Sequence, residues 1–422
     1  MDSKQYTDLR GVVFLLPSVP PRPAGGAELQ ALKLASALAR RGERVFIVSE
    51  WAQGLPECVE QAGVKIYRPH GALNVLWKIA RMPFRLLKSR KEVEQPVQTD
   101  YSGVGDLEKN GLNQRRLGWG AVPYVLVFFV QVFLFLLRRR SEFDVIHAHH
   151  AEWDGFMAVV LARLLGKKAL VKDSTINGLG RLKNDAFGWR MQACLRDRAY
   201  FAAMTGAIAR NLEACGVPQE RIFRIPNGVE LPAGRALTAK PLSCLFVGNL
   251  TQQPAKGLDV LLKAWPQVPR DCPGAELRIV GGGDSAPYQE FAAALGVAES
   301  VRFFGAASEL DRVYSEAAVF LLPSRREGMP NALLEAMAHG LPCVASAIPG
   351  MEELVEDGRT GLLVPPEDAQ ALAVALMRLL KDPELSRRLG EAARLRAVEL
   401  FSMETISARY GAAYRAINGV KG

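Results

Sequence analysis

Cysteine and histidine are scarce in this chain. Six cysteines (58, 194, 215, 244, 272 and 343) and five histidines are scattered through 422 residues, with no C-x-x-C pair and no histidine at metal-ligand spacing beside them. That pattern excludes a disulfide or zinc framework and predicts reduced thiols in a cytoplasmic protein. An Asp-x-Asp pair, which could hold a divalent cation, occurs nowhere. Low-complexity tracts are absent too, and the opening "MDSKQYTDLR" lacks the apolar core of a signal peptide. Long apolar runs are also few. The stretch "VPYVLVFFVQVFLFLL" (122–137) has sixteen residues, interrupted only by Gln131. As a helix it reaches about 24 Å, against a hydrocarbon core of about 30 Å, so the length favours a buried helix over a membrane span.

What is present is the composition of a globular protein, 49% hydrophobic and 23% charged, in a chain long enough for two domains. The net charge of +9 is unevenly spread. Residues 1–240 hold 35 Lys and Arg against 22 Asp and Glu, a net +13, and the remainder hold 18 against 22, a net −4. A basic half of this kind predicts an anionic partner: nucleic acid, a membrane surface or a phosphorylated lipid.

Short apolar runs alternate with helical patterns throughout. "GVVFLLP" (11–17), "RVFIVSE" (44–50), "DVIHAHH" (144–150), "KALVKD" (168–173) and "RIFRIPNGVEL" (221–231) read as strands, with a helix over 25–42. After a Pro/Gly/Ala-rich joint at 232–241 the pattern restarts with "LSCLFVGNL", "AELRIVGGG", "VRFFGA", "VFLLPS" and "PCVASA". Continuous apolar strands separated by helices mean parallel sheets covered on both faces, hence α/β architecture with two Rossmann-like domains. Residues 92–120 have no periodicity and read as an insertion.

The stretch "PSRREGMPNALLEAMAHGLPCVAS" (323–346) carries two carboxylates eight residues apart. Pro330 suits a helix start and "NALLEAMAHG" has helical apolar spacing, so residues 328–331 form the turn that opens a helix. Glu327 then lies just outside the helix and Glu335 one turn within it. Free N–H groups at a helix start attract phosphate. A diphosphate there would be flanked by two acids able to accept bonds from hydroxyls, which matches the order of parts in a nucleotide sugar: diol, diphosphate, sugar. Taken singly, Glu327 reads as a solvated loop acid and Glu335 as a helix-surface acid.

The stretch as a whole resembles the E-x7-E signature of retaining glycosyltransferase family 4, whose members share the GT-B fold. "GGAE" (25–28), "DVIHAHH", "IPNGVE" (225–230), "FVGNLTQQPAKGLDVLLKAW" (246–265), "LRIVGGG" (277–283), "VRFFG" (301–305) and residues 322–368 follow the order of that family. The resemblance implies two Rossmann-like domains facing across a cleft: an acceptor domain over 1–236 and a nucleotide-sugar domain over 237–400, with the terminal helix 401–422 crossing back. It further implies that Glu335 holds the ribose hydroxyls and Glu327 contacts the donor sugar. Gly328, Met329 and Asn331 would offer backbone amides to the diphosphate. Lys256 would neutralise that diphosphate in place of a metal, above a loop formed by Gly25 and Gly26.

Two positions depart from the family. Asn249 stands where an arginine is usual, which leaves more of the neutralisation to Lys256. Asp173, with Lys172 beside it, stands about where many members carry a histidine near the reacting sugar, so either or neither takes that role. His147, His149 and His150 crowd the end of the preceding strand, where α/β sheets keep their ligands, although such histidines are more often structural.

The expected activity is metal-independent, retaining transfer of a hexose from a nucleotide sugar, a UDP-sugar foremost, to a glycan or a polyprenyl- or other lipid-linked acceptor in polysaccharide or glycolipid synthesis. No cofactor is expected. Rival readings are a sister GT-B enzyme (a phosphorylase or sugar-nucleotide epimerase) and a non-catalytic sugar- or nucleotide-binding protein. "GGGDSA" (281–286) fits a dinucleotide fingerprint, but the next strand ends without the acid that fingerprint requires. No basic–aromatic interleaving supports nucleic acid. Residues 75–91 place Lys78, Arg81, Arg85 and Lys88 at helical spacing among Trp77, Phe84 and Leu86, as an interfacial helix on an anionic membrane would, although Pro83 interrupts it. The alternative is a solvated helix of the acceptor domain; the basic first half favours the membrane, and a peripheral position on the inner face of the cytoplasmic membrane is the corresponding expectation.

Overall fold

The structure, a computed structural model, describes residues 9–20, 25–52, 54–69, 122–175, 177–182, 188–232, 242–251, 255–307 and 309–419. The basic stretch 75–91, the aperiodic stretch 92–120 and most of the joint 232–241 lie outside the described residues.

The first sheet comprises β1 (Val12–Leu16), β2 (Val45–Ser49), β3 (Cys58–Gln61), β4 (Val64–Tyr67), β5 (Val145–Ala148), β6 (Lys168–Asp173), β7 (Tyr200–Ala203) and β8 (Ile222–Arg224). Its order is β3-β4-β2-β1-β5-β6-β7-β8. β1 pairs in parallel with both β2 and β5, and every one of its side chains is buried, which is why it reads as an unbroken apolar run. β3 and β4 instead form an antiparallel hairpin.

The second sheet comprises β9 (Ser243–Val247), β10 (Glu276–Val280), β11 (Val301–Phe303), β12 (Val319–Leu322), β13 (Cys343–Ser346) and β14 (Leu362–Val364), in the order β11-β10-β9-β12-β13-β14. All its pairings are parallel. The order reverses beside β9, between β10 and β12, and open α/β sheets bind their ligands at the carboxyl ends of strands around such a point.

The chain divides into two compact units. One comprises Met1–Val171, Arg181–Ala199 and Tyr414–Gly422, and the other Lys172–Gly180 and Tyr200–Ala413. The last helix, Met403–Ile417, contributes its final turn to the first unit. There the Tyr414 hydroxyl lies 2.6 Å from His147 Nδ1, and Arg415 pairs with Glu43 at 2.9 Å.

The apolar run near residue 130 forms the helix Val122–Arg138. It is buried along one stripe only: Phe128, Val132 and Leu136 are covered, while Leu126, Leu134 and Leu137 are exposed. Spacing of four residues places the first three on one face. Among the described residues no helix is long and apolar enough to cross a membrane.

Candidate functional site

The site is assembled around the turn that follows β12. Asn331–Ala338 is a helix whose preceding residue, Pro330, supplies no side-chain cap. Its first backbone N–H groups therefore lack the capping oxygen that Ser, Thr or Asp would provide. Two glycines explain how the chain packs here. A Cβ on Gly328 would lie 2.2 Å from the carbonyl oxygen of Ser174, and one on Gly350 would lie 2.5 Å from that of Gly328. The turn is thus pressed between the end of β6 and the start of the helix Pro349–Glu352.

Lys256 reaches this turn from the loop after β9. Gly257, with φ +66°, makes the approach possible, because a Cβ there would lie 1.9 Å from the Pro323 carbonyl oxygen. Lys256 Nζ donates to Glu327 Oε1 at 2.6 Å, and Ser324 Oγ donates to the same oxygen at 3.0 Å. Two residues assigned to different parts of a donor are therefore in contact with one another. Arg325 fixes the segment between them: its guanidinium grips both Asp259 oxygens at 2.8 Å, and its backbone N–H donates to the Ala255 carbonyl. Burial raises the Asp259 carboxyl pKa, but the bonds and charge of Arg325 more than reverse this and leave it lowered.

Glu335 points to a second anchor. Its Oε2 accepts the hydroxyl of buried Tyr314 at 2.9 Å. The Tyr314 ring stacks on His339, whose Nδ1 lies 2.8 Å from the Glu335 carbonyl. Burial, reinforced by the Glu335 charge, raises the phenol well above its ordinary value, so it stays a donor.

The remaining expected residues fall in distinct places. Asn249 Oδ1 accepts both the backbone N–H and the hydroxyl of Thr251, shaping its own loop. Asp173 is buried and accepts backbone N–H groups of Thr175 and Leu179 at 3.3 and 3.4 Å, organising the loop after β6. Lys172 donates instead to Asn227 Oδ1 at 2.6 Å, and burial pushes its ammonium down to about 7. Asn249, Lys256, Glu327, Gly328, Met329, Asn331, Glu335, Lys172 and Asp173 all belong to the second unit, whereas Gly25 and Gly26 belong to the first. Those two glycines open the helix Gly26–Arg40, where Glu28 Oε2 accepts the Gly25 N–H at 2.9 Å.

His147 and His149 are fully buried and stacked 4.8 Å apart, and His147 is engaged with Tyr414. His150 pairs with Asp154 at 3.3 Å. Burial opposes its charge, but the bond and charge of Asp154, aided by Glu28 and Glu152, raise it to about 9.

Sequence reasoning did not single out Asn227, Tyr314 or Ser324. Asn227 lies within "IPNGVE", yet its partners Met329 and Asn331 are 102 and 104 residues away, beyond any local periodicity. Chemically, the assembled groups offer the Lys256 ammonium, a helix start without a side-chain cap, and two carboxylates already held by hydroxyl donors. That is a set suited to an anion with hydroxyls on either side. Among the described residues no cluster of three or more His, Cys, Asp or Glu is arranged to hold a metal ion.

Comparison with known proteins places the chain in a family. A family model described as "Glycosyl transferase 4-like domain" matches residues 25–228, and one described as "Glycosyl transferases group 1" matches 241–382. The chain is 31% identical over 409 residues to a D-inositol 3-phosphate glycosyltransferase of Nocardia farcinica, covering 89% of this chain and 80% of that one. It is 39% identical over 169 residues to a GDP-mannose-dependent alpha-(1-6)-phosphatidylinositol monomannoside mannosyltransferase of Mycolicibacterium smegmatis, covering 37% of this chain and 44% of that one. The chain thus spans less than half the length of that relative and of others matched over stretches of similar length. Among solved structures, sucrose-phosphate synthase from Thermosynechococcus elongatus superposes with a TM-score of 0.73 at 22% identity, over 97% of this chain and all of that one. Matched along both parallel-sheet units and to a relative over most of its length, the chain belongs to the group 1 glycosyltransferases and has their GT-B fold.

Proposed function

We propose that the protein is a retaining, metal-independent glycosyltransferase that moves a hexose from a nucleotide sugar to a glycan or lipid-linked acceptor in polysaccharide or glycolipid synthesis. The observation that carries this is the turn 328–331, with Lys256 and Glu327 at one side and Glu335 one helical turn in. A diphosphate seated on the turn competes with Glu327 for Lys256, so donor binding releases Glu327 towards the sugar hydroxyls. The helix start and Lys256 then stabilise the leaving nucleoside diphosphate, the role a metal plays elsewhere. The anomeric carbon–oxygen bond to the phosphate breaks as the acceptor oxygen bonds to that carbon on the same face. The acceptor's proton passes to the departing phosphate oxygen. The protein's share is positioning and charge.

A lipid-linked acceptor is supported by the basic first 240 residues and by the mycobacterial relative, a phosphatidylinositol monomannoside mannosyltransferase. A UDP-sugar is our leading donor, with GDP-mannose, used by that relative, beside it. The test is thermal stabilisation by UDP, GDP and ADP, with and without EDTA. A ligand at a hundred times its Kd adds about 2.7 kcal/mol, a readily measured rise in Tm. Stabilisation by one nucleotide, unaffected by chelator, is expected. Stabilisation by none removes the donor-site assignment, and loss on chelation removes metal independence.

A further inference from the structure

β6 ends in a buried cation. Lys172 is 4% exposed and Asn227, its partner, 6%. Lys172 Nζ donates to Asn227 Oδ1 at 2.6 Å, so the oxygen of the Asn227 amide faces the lysine. The amide nitrogen is thereby turned the other way. It donates to the Met329 carbonyl at 3.1 Å and to Asn331 Oδ1 at 2.9 Å, while the Asn227 backbone N–H lies 3.2 Å from Met329 Sδ. One amide grips both sides of Pro330. A flipped amide would set its oxygen against two further oxygens, so the orientation chosen by Lys172 decides whether the turn is held.

The Asn331 bond ties Asn227 to the first residue of the helix Asn331–Ala338 as well as to the turn before it. The same strand end also touches the turn directly, through the Ser174 carbonyl against Gly328. Burying a lysine is unfavourable, and an apolar residue would fill the place without that penalty. Its burial pushes the ammonium down to about 7, a measure of how strongly the site disfavours charge.

We propose that Lys172 is a positioning residue for the donor diphosphate: by fixing the Asn227 amide it holds the turn 328–331 so that the backbone N–H groups face the phosphates. The inference rests on the donor-site reading above. Lys172 bonds to Asn227, and Asn227 to the turn, so on the proposed donor site its removal acts on the phosphates and not on the ribose.

The experiment is calorimetric titration of the full chain with the nucleoside diphosphate that stabilises it and with the matching monophosphate. Lys172→Met removes the donor, Lys172→Arg keeps a donor-only cation, and Asn227→Asp keeps an acceptor for Lys172 but loses both bonds to the turn. Lys172→Met and Asn227→Asp are expected to weaken the diphosphate at least tenfold and the monophosphate less than threefold, with Lys172→Arg restoring most of the preference. A general loss of stability would move both ligands alike. Should Lys172→Met fail to fold, Lys172→Leu, which likewise offers no donor to Asn227, replaces it with the same expectation. An unchanged diphosphate-to-monophosphate ratio, or equal loss in the Arg and Met variants, overturns the proposal. Wild-type protein that binds no nucleoside diphosphate overturns the donor-site reading itself.

Discussion

At the scale of single residues, the Lys256–Glu327 contact decides how substitutions act. Glu327→Ala leaves Lys256 without its anionic partner, so nucleoside diphosphate should bind at least as tightly as to wild type, while turnover falls by orders of magnitude. Weaker diphosphate binding by this variant would contradict the competition between Glu327 and phosphate. Glu335 behaves differently because Tyr314 is buried behind it. Glu335→Ala strips an acceptor from that hydroxyl and should cost roughly 1–3 kcal/mol of stability besides weakening the nucleotide. Glu335→Gln keeps an acceptor, so it should weaken binding with little change in Tm. Lys172 has a pH signature. Its folded pKa is lowered to about 7 from 10.5, so below pH 7 both folded and unfolded states are charged and the full burial penalty applies. Between about 7 and 10.5 the unfolded chain holds the extra proton, and stability rises with pH by up to ~1.4 kcal/mol per unit. Lys172→Met should be more stable than wild type at neutral pH, and that advantage should shrink as pH rises to 10. A constant difference between the two unfolding curves across this window would disprove the assignment.

Among elements, the hairpin β3–β4 carries a local conflict. Its two-residue loop has Ala62 at φ +50° and Gly63 at φ +77°, a pair of left-handed residues that such hairpins require. An alanine there is disfavoured by about 1–2 kcal/mol, whereas asparagine tolerates the conformation. Ala62→Asn should stabilise the hairpin by about 1 kcal/mol, read as roughly fivefold slower hydrogen exchange of the β3 and β4 amides. Exchange no slower than wild type would show that the loop relaxes at no cost. The hairpin also shows why some elements were not legible in the sequence. β3 is half exposed, with polar residues in alternation, and offers no apolar run. β14 has three residues, too few to stand out. The central strands were legible because burial on both faces demands continuous apolar sequence. The turn before Asn331 was legible because its glycine, proline and asparagine are adjacent to the helix they start. Tyr314 and Asn227 were not, because their roles depend on chain segments 21 and more than 100 residues away. Gly257 was quoted only as part of a motif, although its close approach to Pro323 is what brings Lys256 to Glu327.

For the whole molecule, the distribution of charge is the property that no single site explains. The proposed donor contacts Lys256, Glu327 and Glu335 lie in the acidic part of the chain, so on that proposal they do not account for the net +13 of residues 1–240. Lys256 and the helix start supply that charge locally. On the lipid-linked acceptor proposed above, an excess of this size in the other half would face an anionic bilayer presenting that acceptor. The proposed association is electrostatic and interfacial. Its centre is the stretch 75–91, which lies outside the described residues and carries Lys78, Arg81, Arg85, Lys88, Arg90 and Lys91 with no acid between Glu60 and Glu92. At about 1 kcal/mol per basic residue near an anionic surface, six suffice for reversible docking, and screening by salt should release it. The full chain is expected to sediment with vesicles containing phosphatidylserine at low salt, and to remain in the supernatant at high salt or with neutral vesicles. Changing Lys78, Arg81, Arg85 and Lys88 to Glu should abolish sedimentation while leaving nucleotide stabilisation of the second unit intact. Wild-type protein that stays in the supernatant at low salt, yet is stabilised by nucleotide, would keep the glycosyltransferase and replace the membrane acceptor with a soluble one.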